Sequence, residues 1–367
     1  MCEIQNTMNS FCFFNSVMEW GGGEKWHLEI ANYLHSKGKY VLIITQPGSV
    51  LSQRATKAGI LVYHVKLDNL SILNPFKIIS LVRVLKRESV DSIILNLSRD
   101  LKCGGVAAKI AGVKKIIFRR GSDRPVRNYL INRFLYQNIV SHILTNSNAT
   151  KNAILSNGDS LVSSDKIEVI PNGIDTLSFI NRSFNPIIKK KDSVFTIAAL
   201  GRLVPQKNFE FLIPVALELK KRNLNFRILI GGEGIQMRHL KELISKNNLE
   251  NEIELLGFLE NPKDLFMSAD IFLLPSLWEG FGYVLAEALL SCLPVVAFDI
   301  SSNSEVIVKS SGFLTKPHQV KSYCDKIEHL YSNPKVRFAM GEAGNSHIKK
   351  KFDSKIIFQR IEDYLLL

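Results

Sequence analysis

The sequence predicts the α/β class, with two domains that each contain a doubly wound parallel sheet. Short β-branched runs alternate with amphipathic stretches, which is typical of parallel strands joined by crossover helices. The alternation starts twice, once at the N-terminus and again near Val194. At 367 residues the chain is also longer than one hydrophobic core usually supports, so two domains are expected.

The first series of predicted strands begins with an apolar run over 11–17. This run lacks a basic flank before it and a cleavage site after it, so it predicts a strand rather than a signal peptide. It leads into three glycines at 21–23 and a helical pattern over 24–36. The further strands of this series are predicted over 40–45, 92–97, 115–118, 142–145 and 166–170.

The second series predicts a separate C-terminal domain over 194–345. Its strands fall over 195–200, 227–230, 253–256 and 271–275, and its helices over 208–222, 236–247 and 262–268. The stretch before it contains Pro186 and three consecutive lysines at 189–191, which is typical of a linker. We therefore expect an N-terminal domain over 1–178, a linker over 179–193 and a final helix over 346–367.

Composition indicates a soluble globular protein in a reducing compartment. Hydrophobic residues make up 46% and charged residues 22%, and no window approaches the roughly 18 uncharged apolar residues of a membrane-spanning helix. The five cysteines are scattered, without a CxxC or Cys/His spacing, which argues against a zinc site. We expect a cytoplasmic location.

The net charge of +13 predicts an anionic partner. Residues 1–180 hold 22 Lys and Arg against 13 Asp and Glu, so the first domain is the more basic one. Nucleic acid, an anionic membrane and a phosphorylated substrate all fit such a surface. The nucleic-acid hypothesis rests on charge alone, because no basic strand interleaved with aromatic residues and no recognition helix supports it.

The strongest motif is the run SLWEGFGYVLAEA over 276–288, which follows a predicted strand and enters a helix. Its glycines let the backbone approach a ligand, and the free N–H groups of a helix start suit a diphosphate. Glu279 and Glu287 bracket the turn; on one helix they would be about 12 Å apart, too far for a glycosidase pair. Hydroxyl recognition on a nucleotide sugar fits better, and a helix cap with a solvated glutamate is the alternative.

Two further loops follow predicted strands of the second domain. Arg202 and Lys207 in GRLVPQKN can clamp a phosphate, although solvated surface charges fit the pattern equally well. The glycine loop around Gly232 either flanks a nucleobase or simply turns the chain.

Together these motifs resemble glycosyltransferase family 4. The matching segments cover most of residues 166–300 in the family's order: VIPNGID, GRLVPQKN, IGGEG, LLGFLEN, SADIFLLPS and WEGFGYVLAEALLSCLPVVA. The resemblance implies a GT-B architecture, two Rossmann-like domains with parallel sheets facing across a cleft, and a last helix that crosses back to the first domain. It also implies retention of anomeric configuration, no cofactor and no metal, with which the lack of an Asp-x-Asp motif agrees. The implied donor is a nucleotide diphosphate sugar, with UDP-sugar favoured.

By the same resemblance, Arg202 and Lys207 stabilise the leaving diphosphate, Glu279 holds the sugar hydroxyls and Glu287 binds the ribose. Further donor contacts are implied for Gly22, Gly23, Gly232, Phe281, Gly282, Tyr283 and Val284. The family often has a histidine after a first-domain strand, where this chain reads FRRGSDRP over 118–125. Asp123 is a candidate replacement at the donor sugar, and Arg119 or Arg120 a candidate contact to a phosphorylated acceptor.

A basic helical pattern over 75–88 suggests peripheral contact with an anionic membrane. Phe76, Ile79, Val82 and Leu85 are predicted on one of its faces, and a helix packed on its own sheet is the alternative. Such a contact would place the protein at the inner face of the plasma membrane.

The function predicted from these observations is that of a hexosyltransferase. It would move a sugar from a nucleotide diphosphate to a glycan or lipid-linked acceptor for cell-surface polysaccharide. The alternatives are a sugar-nucleotide epimerase of the same fold and a non-catalytic partner subunit that binds sugar nucleotides.

Overall fold

The computed structural model describes residues 9–156, 158, 161–188, 194–300 and 302–367. They form two compact units. One comprises the chain up to Asn172 together with Ile357–Leu367, and the other comprises Gly173–Ile356. The lysines at 189–191 in the predicted linker lie outside the described residues.

The first unit contains a seven-stranded parallel sheet in the order β3-β2-β1-β4-β5-β6-β7. Its strands are β1 (Ser10–Asn15), β2 (Tyr40–Thr45), β3 (Leu61–His64), β4 (Ser92–Leu95), β5 (Lys115–Arg120), β6 (His142–Thr145) and β7 (Ile167–Val169). Its helices are α1 (Gly22–Ser36), α2 (Val50–Lys57), α3 (Pro75–Arg87), α4 (Ser98–Asp100), α5 (Val106–Ala111), α6 (Leu130–Phe134) and α7 (Asn148–Leu155), with π-helical turns over Leu101–Gly105 and Leu135–Ile139.

β1 is central in this sheet because both of its faces are apolar. All six of its residues are buried. Phe14 packs with α3 and α5 on one face, and Phe13 packs with Trp26 of α1 on the other. The strand order reverses between β1 and β4, and open α/β sheets place their ligand sites at the carboxyl ends of strands at such a reversal.

The second unit contains a six-stranded parallel sheet in the order β10-β9-β8-β11-β12-β13. After helix α8 (Thr176–Asn181), its strands are β8 (Phe195–Leu200), β9 (Phe226–Gly231), β10 (Ile253–Gly257), β11 (Ile271–Leu274), β12 (Val295–Phe298) and β13 (Gly312–Thr315). Its remaining helices are α9 (Leu212–Lys221), α10 (Met237–Lys246), α11 (Pro262–Phe266), α12 (Tyr283–Leu290), α13 (Asn303–Val306), α14 (Val320–Ser332) and α15 (Pro334–Lys351). Here the order reverses between β8 and β11. The predicted α/β class with two parallel sheets is confirmed.

The chain passes between the units at places that differ from the predicted boundaries. The first passage lies at Asn172/Gly173 rather than 178, because Ile174 pairs with Asp353 and Phe179 is buried in the second unit's core. The second lies at Ile357 rather than 346, because Ile348 still packs in that core. Only the last helix, α16 (Ser354–Leu366), carries the chain back.

The predicted apolar face of α3 is wrong. Leu85 is 1% exposed and packs on the sheet, whereas Phe76 is 80% exposed. Residues at intervals of three fall about 60° behind a full turn at each step, so Phe76 and Leu85 point to opposite sides. Among the residues that the structure describes, no helix is both long and apolar enough to cross a membrane.

Gly104 brings a π-helical turn against the central strand. A Cβ there would lie 2.3 Å from a ring carbon of Phe14, whereas one at Gly105 would meet only side-chain ends at 3.0 Å or more. We expect Gly104→Ala to lower the free energy of unfolding by about 1–3 kcal/mol through overpacking. Gly105→Ala should be nearly neutral, because alanine's better helix propensity offsets the smaller adjustment. Denaturant unfolding checks this, and equal losses for the two variants would contradict it.

Candidate active site

Two loops meet at the carboxyl edge of the second sheet, where its strand order reverses. One follows β8 and the other follows β11, and the two strands are neighbours in the sheet. The N–H of Leu277 donates to the carbonyl of Gln206 at 2.9 Å, and the Gln206 amide donates to the carbonyl of Trp278 at 2.8 Å. The Asn208 amide donates to the carbonyl of Pro275 at 3.2 Å. These bonds hold the two predicted motifs together.

Lys207 and Glu279 form a buried ion pair across these loops. Lys207 Nζ lies 2.5 Å from Glu279 Oε1, and their side chains are 11% and 7% exposed. The aliphatic part of Lys207 runs past Gly201, where a Cβ would lie 3.1 Å from Lys207 Cε. The sequence predicted separate contacts for these residues, to phosphate and to sugar, but the structure brings them into contact with each other. Arg202 is exposed on the same loop.

The glycine loop after β9 allows a close backbone crossing. Gly232 has φ 130°, and a Cβ there would lie 1.9 Å from the carbonyl oxygen of Gly201. Gly201 donates to Gly231 at 3.0 Å, and Leu203 donates to Glu233 at 2.8 Å. Gly232 is therefore required for the two loops to pass each other, whether or not it also contacts a ligand.

The turn before α12 separates the two glutamates. Gly282, with φ 71°, caps α12, so Glu279 precedes the helix and Glu287 lies half-buried one turn into it. The assumption of one continuous helix between them is wrong, because Gly282 adopts a left-handed backbone. α12 begins shortly after Glu279 in the chain. The free N–H groups at the start of a helix can bind a diphosphate.

The residues of this turn differ in what they can offer a ligand. Phe281 is 3% exposed, with its ring 5.3 Å from that of Tyr283 and 5.5 Å from that of Phe352. Only its backbone is therefore available to a donor. Tyr283 and Val284, the first residues of α12, are half-buried.

In the first unit, the predicted glycine loop lies at the carboxyl end of β1. Gly21 caps α1, which begins at Gly22, and a Cβ at Gly23 would lie 3.0 Å from the Asn96 amide nitrogen. Glu24, in the first turn of α1, is 5% exposed and accepts a hydrogen bond from the Asn15 amide at 2.9 Å. The loop thus rests on a buried polar cluster that the sequence analysis missed.

Two ionisable residues beside the glycine loop, His27 and Arg119, are buried. Burial and the charge of Arg119 lower the pKa of His27 to about 3, so its imidazole is neutral, as expected for a structural histidine. Arg119 is 4% exposed, stacks 4.7 Å from the Trp26 ring and donates to the Asn172 side chain at 3.0 Å. The predicted contact of Arg119 with an acceptor is not supported, because these partners hold its guanidinium inside the protein. The sequence of β5, KIIFRR, carries no signal that Arg119 is buried.

A second buried carboxylate connects the ends of β1 and β4. Asp100 accepts hydrogen bonds from the hydroxyl of Ser16 and from the backbone N–H of Leu97, and Arg99 donates to the Ser16 hydroxyl at 2.7 Å. Burial raises the pKa of Asp100 to about 6. Asp123 lies half-buried on the loop after β5. Within the described ranges, no three His, Cys, Asp or Glu side chains come together as a metal site.

Comparison with family models covers both units. Residues 20–177 match the model described as Glycosyltransferase Family 4, and residues 181–347 match the model described as Glycosyl transferases group 1.

Two curated proteins and one solved structure illustrate the similarity. The UDP-Gal:alpha-D-GlcNAc-diphosphoundecaprenol alpha-1,3-galactosyltransferase of Escherichia coli is 28% identical over 316 residues, 80% of each chain. The poly(ribitol-phosphate) alpha-N-acetylglucosaminyltransferase of Staphylococcus aureus is 28% identical over 166 residues, 45% of this chain and only 34% of that one. Anabaena HepE, solved in complex with UDP, superposes with a TM-score of 0.82 at 20% identity, covering 97% of this chain and 99% of that one.

Removal of one member of the buried pair should destabilise the second unit. Lys207→Ala leaves Glu279 buried without its partner, and such changes cost about 3–5 kcal/mol in free energy of unfolding. Lys220 is a matched control, since it lies 2.7 Å from Glu252 but its side chain is 51% exposed. Lys220→Ala should cost less than about 1 kcal/mol. Denaturant unfolding checks both variants, and similar losses would show that burial does not distinguish the pairs.

Proposed function

The chain belongs to glycosyltransferase family 4, and from that premise we propose that it transfers a sugar, with retention of configuration, from a nucleotide diphosphate to a glycan or lipid-linked acceptor. The observation that carries this proposal is the grouping of Arg202, the Lys207–Glu279 pair and the start of α12 at the strand reversal of the second sheet. Such a grouping offers positive charge to a diphosphate and a carboxylate to sugar hydroxyls.

In the proposed reaction, the bond between the anomeric carbon and the diphosphate breaks as the bond to the acceptor oxygen forms on the same face. The departing phosphate oxygen takes the acceptor's proton. Negative charge develops on that oxygen, so prepositioned N–H groups and cations stabilise the transition state more than the bound donor. Lys207 and Arg202 supply this charge from the chain itself, so the proposal needs no cofactor and no metal ion.

An incoming donor would find Lys207 already paired with Glu279. Without a ligand, Glu279 neutralises Lys207 inside a site of low exposure. We propose that the diphosphate replaces Glu279 as the main partner of Lys207, which leaves the carboxylate to accept bonds from sugar hydroxyls. Glu287, one turn into α12, then binds the ribose. Gly22 and Gly23, at the start of α1, are proposed to approach the donor phosphates.

UDP is the proposed nucleotide. The solved structure of HepE is a complex with UDP, and the curated E. coli relative is named for a UDP-linked galactose donor. The same relative is named for a diphosphoundecaprenol-linked acceptor, which supports a lipid-linked acceptor and work at the inner face of the plasma membrane. The proposed role is therefore in cell-surface polysaccharide synthesis.

The two alternative functions are not favoured. An epimerase is not favoured, because both family models and both curated relatives described above are those of glycosyltransferases. A non-catalytic subunit would bind the nucleotide without transferring its sugar, and that difference can be measured.

Nucleotide binding is tested first by thermal unfolding with a panel of nucleoside diphosphates. UDP at 100 times its dissociation constant should stabilise the wild type by about 2.7 kcal/mol. Glu287→Ala should lose this gain, while Glu242→Ala, which removes an exposed glutamate of α10, should keep it. A wild type that no nucleotide stabilises would contradict the donor site, and a gain retained by Glu287→Ala would contradict the role of that residue.

Transfer is tested through Asp123, the proposed replacement for the family's histidine. The assay follows labelled sugar from the stabilising UDP-sugar to a polyprenyl-diphosphate-linked N-acetylhexosamine. Asp123→Ala should slow transfer at least about tenfold, or about 1.4 kcal/mol in barrier, with UDP stabilisation intact. Asp165→Ala, which removes an exposed carboxylate of the same unit, is the control and should transfer normally. Unchanged transfer in Asp123→Ala would remove Asp123 from the site.

A further inference from the structure

Large apolar side chains lie exposed at the starts of two helices of the first unit. The exposed fractions of these side chains run from 44% to 83%, whereas a surface helix normally buries its apolar side chains against the core. We name this set the apolar rim, and it consists of Leu70, Leu73, Phe76, Leu130, Ile131 and Phe134.

The members of the apolar rim share one edge and one face of the sheet. α3 follows β3 and α6 follows β5, so both helices start at the carboxyl edge of a parallel sheet. Leu81 and Leu85 of α3 and Leu135 after α6 are buried in the same core. The two groups therefore lie on the same layer of helices, at the same end, with the π-helical turn Leu101–Gly105 packed between them.

Cations accompany the apolar rim. Lys66 and Lys77 lie at the ends of the segment that carries its first group, and Arg124, Arg127 and Arg133 lie in the segment that carries its second. Within 66–77 and 124–134 these five cations stand against one carboxylate, Asp68. A protein partner of ordinary composition would meet an apolar patch through a neutral core, whereas apolar side chains ringed by Lys and Arg suit a surface that is apolar inside and anionic outside.

We propose that the apolar rim is a docking surface for an anionic lipid bilayer, into whose headgroup layer Phe76 and Leu130 insert. The inference rests on the proposed function, because a docked bilayer would bring the proposed lipid-linked acceptor to the carboxyl edge of the first sheet. Leu81 and Leu85 of α3 and Leu135 directly after α6 stay packed in the core of their own unit, so docking requires no unfolding. The membrane contact that the sequence predicted from one helix thus involves two, and of the apolar side chains predicted for it only Phe76 belongs to the apolar rim.

The experiment measures co-sedimentation of the full chain with two kinds of vesicle. One contains phosphatidylglycerol and phosphatidylcholine in equal parts, and the other contains phosphatidylcholine alone. The wild type should bind the anionic vesicles, and far more weakly the neutral ones. Phe76→Ser/Leu130→Ser should weaken that binding about tenfold or more, because two apolar side chains no longer insert.

Matched controls separate the apolar rim from general hydrophobicity. Ile110→Ser removes a 58% exposed side chain near the opposite edge of the same unit, and Ile235→Ser removes an 83% exposed one from the second unit. Both should bind vesicles like the wild type. UDP stabilisation should be unchanged in every variant, so that a failed donor site and a failed docking surface give different results.

Three outcomes would overturn the proposal. One is vesicle binding by the double variant that equals the wild type, and another is an equal loss in Ile110→Ser. The third is a wild-type dimer that Phe76→Ser/Leu130→Ser converts to a monomer without any change in vesicle binding, since a second copy of the chain would then cover the apolar rim.

Discussion

The candidate donor site depends on the crossing of two backbones at Gly201 and Gly232. Because Gly232 has no Cβ, the loop after β9 can pass against the Gly201 carbonyl, and this contact fixes where the loop after β8 begins. Lys207 then follows at a set distance along that loop. Because β8 and β11 are neighbours in the sheet, the Lys207 ammonium group reaches the loop after β11, where it pairs with Glu279.

The ion pair also explains how the Lys207 side chain can be kept inside the protein. An isolated buried ammonium would be costly, so it would lose its proton or turn to solvent. Pairing with Glu279 holds the Lys207 side chain in place within the protein. In the proposed function, the donor diphosphate replaces one anionic partner of Lys207 by another and does not have to order a mobile side chain.

Long apolar runs and loop chemistry could be predicted from the sequence, whereas contacts between distant segments could not. β1 and β8 were recognisable because they are apolar on both faces, as buried parallel strands are. β3 was missed because it is an edge strand with no buried residue. The Lys207–Glu279 contact joins residues 72 positions apart, and it follows from the adjacency of β8 and β11, which spacing alone does not show. Glu24 is a second example, because it accepts a hydrogen bond from Asn96, also 72 positions away.

The return of α16 to the first unit has a consequence for the order of folding during synthesis. Ile357, Ile361 and Leu365 fill the same core as Trp26 and Ile30. Glu362 bonds to Tyr33 of α1 and to Lys37, directly after that helix. The ribosome therefore releases most of the first unit early but supplies its last core residues only after the whole second unit has been made. Domains usually fold as units in the order of their synthesis. Here the second unit can close first, and the unit that starts the chain is the last one completed.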